Sequence, residues 1–81
     1  MTDKQRAQVE RVLMYWAKGA DRYEAKMNAY EAANEADKAA WADAKNSECI
    51  TAMNAIHEVL GILGYSVRWT GEDGNTPLIL E

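Results

Sequence analysis

Residues 9–30 read VERVLMYWAKGADRYEAKMNAY, and the spacing of their apolar side chains decides the fold. Val9, Leu13, Trp16, Ala20, Tyr23, Met27 and Tyr30 recur at intervals of 4-3-4-3-4-3. A strand would alternate with period two; a heptad-like repeat draws one stripe along a helix. A second stripe runs through residues 42–63, ADAKNSECITAMNAIHEVLGIL, as Ala42, Lys45, Cys49, Ala52, Ile56, Val59 and Leu63. Folded antiparallel, the two stripes pair Val9 with Leu63, Leu13 with Val59, Tyr23 with Cys49 and Tyr30 with Ala42, and each pair of numbers sums to 72. That register centres the turn on residue 36, within Asn34-Glu35-Ala36-Asp37. Asn34 suits the left-handed residue that ends a helix, and Glu35 or Asp37 suits the start of the next. A slip of one heptad also keeps the stripes matched. A break at Asn46-Ser47, with Ser47 as cap, is the competing division of the chain.

Outward from this core, Thr2 and Gln5 have capping-box spacing, so the first helix should start there. No proline occurs before Pro77, and no glycine lies between Gly19 and Gly61, which leaves a long helix-permissive run. The tip is rich in alanine, with Tyr30 and Trp41 supplying bulk. Gly64 is placed to terminate the second helix. Beyond it Tyr65, Val67 and Trp69 alternate with Ser66, Arg68 and Thr70, a strand pattern. Gly71-Glu72-Asp73-Gly74-Asn75 is dense in turn formers, and Pro77 fits only the start or edge of a following strand. The expected architecture is mainly α: a single domain, 1–81, made of a long antiparallel helical hairpin (about 3–33 and 36–63) and a short C-terminal β-hairpin (about 65–70 and 76–81). Each helix should be about 45 Å long.

A chain of 81 residues buries only a thin core. Cys49 is the sole cysteine, so no internal disulfide reinforces it, and Cys49 with His57 falls short of a structural zinc set. Oligomerisation is the remaining remedy. The polar N-terminus lacks a signal-peptide core, and no apolar run reaches the ~18 residues of a membrane span, so a cytoplasmic protein without membrane contact is expected. The unpaired cysteine agrees with a reducing compartment. The net charge is −4, divided into +2 over residues 1–20 and −6 over the rest. Such a balance argues against nucleic acid as a partner.

At the base of the hairpin, where both termini should meet, apolar residues spill off the stripes. Val12, Met14, Tyr15, Ile50, Met53, His57, Leu60 and Trp69 form the expected interface. Either the strand pair covers this surplus or a partner does. A weaker set, Lys4, Arg6, Arg11, Arg68 and Trp69, could gather around an anion such as a nucleotide. Catalytic readings find little footing. His57 has no nucleophile or orienting carboxylate at a recognisable spacing and reads as a packed histidine. Cys49, on the stripe, reads as a buried inert thiol, two helical turns from His57. The tip carboxylates Glu24, Glu31, Glu35, Asp37, Asp43 and Glu48 lack the Glu-x-x-His pattern of a di-metal bundle and read as a solvated face. Gly71-Glu72-Asp73-Gly74 lacks the lysine and following helix of a phosphate loop. No enzyme, no cofactor and no metal site are expected.

The stretch YEAANEADKAAWADAK (residues 30–45) and the ending LGYSVRWTGEDG (63–74) resemble, in sequence style, small accessory proteins of phages and mobile elements of gut-type bacteria. The resemblance spans the whole chain. It implies a stand-alone protein that binds and inhibits a host factor, such as a defence system or its nucleotide signal, and it assigns no residue roles. Together these readings predict a non-enzymatic interaction module that partners itself or a host protein, with an oligomeric nucleotide-sequestering protein as the alternative.

Overall fold

A computed structural model describes residues 1–81. Helix α1 spans Asp3–Ala32 and α2 spans Ala36–Ile62; strands β1 (Ser66–Thr70) and β2 (Thr76–Leu80) form one antiparallel pair. The chain is therefore a helical hairpin followed by a β-hairpin, as its periodicities predict.

The ends of the helices explain themselves locally. Thr2 Oγ1 accepts the Gln5 amide at 3.1 Å, and Gln5 Oε1 accepts the Thr2 amide at 2.8 Å. This reciprocal pair satisfies two amides that the first turn leaves open. Both helices end in the same way. After α1, Asn34 turns left-handed (φ 57°), the Asn34 amide donates to the Glu31 carbonyl, and the Glu35 amide donates to that of Tyr30. After α2, Gly64 (φ 88°) takes that role, with its amide on Gly61 and the Tyr65 amide on Leu60. These are Schellman closures, and the second stops its helix where the sequence changes to strand alternation. Helix α2 runs unbroken past Asn46 and Ser47, so the competing break there is not used. Asn46 instead donates from Nδ2 to the Ala20 carbonyl of α1 at 2.7 Å, tying the helices together at mid-length.

The pairing of the helices differs from the index sum of 72. Only residues 33–35 link them, so the mirror point is residue 34, not 36. Partners shift by about one turn. Cys49 lies against Gly19, where an added Cβ would come within 3.2 Å of Sγ, and not against Tyr23. Tyr23 meets Trp41 edge to face, ring centroids 5.6 Å apart. The first stripe keeps its predicted inward phase throughout. The second keeps it only as far as Ile56. At the base Leu60 enters the core, 4% exposed, while Val59 and Leu63 turn outward at 55% and 63%.

Leu13, Leu60 and Ile79 form the central cluster, with Val9, Ile56, Tyr65, Val67 and Trp69 packed around it. The β-hairpin lies across the base of the helix pair, β2 on α1 and β1 on α2. Register pairs Val67 with Ile79 and Trp69 with Pro77 on the inward face. The Ile79 amide points away from β1 and donates to Glu10 Oε2 of α1 at 2.8 Å. Pro77, two residues earlier, has the same orientation and no amide to satisfy, which is why proline is tolerated there. The termini meet at the base as expected: the Met1 ammonium donates to the Tyr65 hydroxyl at 2.8 Å, and Arg6 pairs with Glu81 at 3.7 Å.

Candidate interaction surface

The helix pair has two broad faces, and the β-hairpin covers only one. On the capped face, the outer part of the base and the middle of the hairpin leave a cleft of about 430 Å³. Met27, Ile50 and Met53 form its apolar walls; Asp21, Glu24, Asn46 and Asn54 add polar groups. At its base end His57 stacks on Trp69, centroids 5.8 Å apart and rings within 14° of parallel. His57 Nε2 is buried without a partner. Asn75, in the strand turn, donates to Asp21 across the cleft's edge. These contacts fix the hairpin to the helices and leave no nucleophile or metal-binding cluster beside the histidine; no group of three or more metal-ligating side chains exists in the chain.

The other face is bare. At its base a groove of about 640 Å³ runs between the helices, lined on α1 by Gln5, Gln8, Val9 and Val12 and on α2 by Ala55, Ile56, Val59, Leu60 and Leu63, with Met1 at its end. The lining is almost entirely apolar. Beside it lies a shallower depression between Val12, Tyr15 and Trp16, bordered by Arg11. Tyr15 is 65% exposed and meets Trp16 edge to face at 5.2 Å. Ile62 adds a further exposed aliphatic at the end of α2. Water-exposed apolar side chains scattered singly are ordinary; a contiguous groove of them is not.

The predicted interface residues are thus divided among three places. Val12 and Tyr15 stand on the bare face. Ile50, Met53, His57 and Trp69 stand around the capped-face cleft, and Met14 is half-buried. Leu60, expected at the interface, is a core residue at 4% exposure, because the one-turn shift in pairing carries it under the β-hairpin, and its side chain also lines the groove of the bare face. Sequence reasoning missed Met1, Val9, Ile56, Val59 and Leu63, since it assigned the last four to the helix–helix seam. The signal available was an ambiguity: after Ile56 either Val59 or Leu60 continues a helical stripe.

The five residues of the anion set are not brought together. Arg6 pairs with Glu81, and Arg11 borders the Trp16 depression on the bare face. Arg68 faces solvent on the outer side of β1, while Trp69, its neighbour, faces inward against His57. Adjacent residues of a strand point to opposite faces, so these two cannot share a pocket. Lys4 is exposed and lines neither groove. No helix is long and apolar enough to cross a membrane. Compared with family models, curated proteins and solved structures, the chain matches none.

Proposed function

We propose that this chain is a non-enzymatic protein-interaction module that works by laying the bare face of its helical hairpin on an apolar protein surface. The apolar groove between Val9, Val12, Ile56, Val59 and Leu63 carries this reading. A thin-cored chain gains nothing in its own stability by holding these side chains in water, whereas burying them against a partner is favourable at about 25 cal/mol per Å² before the costs of association. The acidic remainder of the chain fits a rim that discourages non-specific contact. The likeness in sequence style to phage and mobile-element accessory proteins makes occlusion of a host factor the kind of activity such a face would serve. The nucleotide alternative loses its motivation once Arg68 and Trp69 diverge.

The test is site-specific photocrosslinking in the cell, with a benzophenone amino acid replacing Val59 and, as control, Arg68 on the outer side of the strand pair. The expected result is a discrete adduct from position 59 and none from position 68. Absence of any adduct at 59, or equal labelling from both positions, would reject the interaction reading.

A further inference from the structure

The bare face carries more than an apolar groove: its two edges bear opposite charge. Helix α1 sorts its charges by side. Glu10, Asp21 and Glu24 all turn to the capped face, where they hold Ile79, hold Asn75 and line the cleft respectively. Arg6 stays with Glu81 at the capped base, and the bases beyond it turn the other way. Arg11 borders Val12, Tyr15 and Trp16, while Arg22 and Lys26 lie over the Tyr23 ring at 5.7 and 5.6 Å. Lys18 falls on the same helical line, seven residues after Arg11 and four before Arg22. The corresponding edge of α2 carries Glu48, which pairs with Lys45 of its own helix at 3.5 Å, and Glu58, which has no basic partner within the chain. Glu48 lies seven residues before Ala55, a lining residue of the groove, and Glu58 lies three after it.

We infer that the occupant of the bare face is a second copy of this chain, joined as a four-helix bundle about a twofold axis parallel to the helices. The inference rests on the interaction reading above and names its partner. Such an axis places α1 of one copy antiparallel over α2 of the other, base on base. Heights along the hairpin are preserved. Because Gly19 is level with Cys49, Arg11 comes level with the second copy's Glu58, and the second copy's Glu48 falls between Lys18 and Arg22. Arg11 of each copy then meets the unpaired Glu58 of the other, twice by symmetry, while Glu48 with its own Lys45 lies beside Lys18 and Arg22. The other in-plane twofold, perpendicular to the helices, would set α1 on α1 and bring bases against bases, which like-charge repulsion opposes. Val12 and Val59 meet at the centre, inside the charged edges, the arrangement of an apolar core with a polar rim.

Area agrees with this occupant. The chain exposes 5516 Å², against about 4,900 Å² expected of a compact monomer of this mass. The excess is of the order of the ~800 Å² that each partner contributes to a stable interface. A body measuring 47 × 25 × 16 Å has a broad face large enough to supply it.

Sedimentation velocity over a concentration series, with circular dichroism to monitor folding, tests the assembly. Wild type should sediment at twice the 9.1 kDa chain mass. Val59→Lys, already exposed in the single chain, should keep the helical spectrum and sediment as a monomer. Arg11→Glu should weaken association roughly tenfold or more, and adding Glu58→Arg should restore most of the loss. A wild-type monomer at every concentration, a dimer that survives Val59→Lys, or a charge reversal that its partner reversal does not rescue would each overturn the inference. The benzophenone at position 59 separates the two proposals. A monomer that crosslinks there to a different protein ends the twofold bundle and leaves the interaction module standing; a monomer with no adduct ends both.

Discussion

At Gly19 the absence of a side chain lets α1 sit close against Cys49 of α2. The glycine is buried, and the space where its Cβ would stand lies 3.2 Å from Cys49 Sγ. Glycine inside a helix costs about 1 kcal/mol relative to alanine, so its presence here needs a packing reason, and the thiol provides one. Gly19→Val should destabilise the fold by about 1–3 kcal/mol through overpacking, despite the better helix propensity of valine. Combining it with Cys49→Ala should recover part of that loss, with a coupling of about 0.5 kcal/mol or more between the two sites. Urea denaturation of the two single variants and the double variant measures this, and strict additivity would show that the two residues do not share the contact. Cys49 thereby reads as a packing atom, buried on the seam, and its chemistry is not what holds it there.

At the scale of the element, the point of interest is where α2 changes the residue it sends inward. Up to Ile56 the stripe read from sequence and the buried side of the helix coincide. Beyond it the β-hairpin arrives, and Ile79 and Val67 offer apolar surface to one side of the seam. Leu60 faces that surface, and Val59 is left on the far side. Leu60→Ala should therefore cost about 2–5 kcal/mol, as a large side chain removed from a packed site does. Val59→Ala, measured at concentrations where sedimentation shows a single chain, should cost well under about 1 kcal/mol. Thermal or urea unfolding of the pair decides the matter: equal losses would mean that Val59 is in the seam after all. The strand pair has a comparable dependence. Two strands alone are marginal in water, and this pair persists by resting Ile79 on Leu13 and Leu60 and by giving the Ile79 amide to Glu10.

The whole molecule is long and thin. Its radius of gyration is 14.8 Å, where a compact chain of this length would have about 12 Å. Only 10 of its 81 residues are buried, and the larger of these side chains, Leu13, Leu60 and Ile79, lie together at the base. Toward the tip the buried contacts are Ala39 and Ala42, supplemented by Tyr23 against Trp41 with Lys26 over both rings. Stability should accordingly grade along the hairpin. Native-state amide exchange is expected to show the greatest protection over residues 9–17 and 53–62, and opening at lower free energy over residues 25–45. Uniform protection from end to end would contradict a base-centred core. The proposed interaction surface lies at this more densely packed end, where a preformed groove would lose little freedom on binding.

Much of this fold was legible from local chemistry, because each signal involved is short-ranged. Heptad spacing marked both helices, Thr2 with Gln5 marked the start, Asn34 and Gly64 marked the stops, and alternation from Tyr65 to Thr70 marked the strand. None of these depends on anything more than a turn or two away. Register does not share that property. Stripes that repeat every seven residues match one another in several alignments, so the three-residue link and the Gly19–Cys49 contact had to choose among them. The base surface depended on that choice. An apolar residue such as Val59 or Leu60 has the same drive to be buried wherever it stands, and which one succeeds is set by where the β-hairpin lands. The same holds for charge. The bases of α1 were visible as a count, but their place on the bare edge, opposite the acids that hold the strand pair, came from the direction in which the tertiary structure turns the helix.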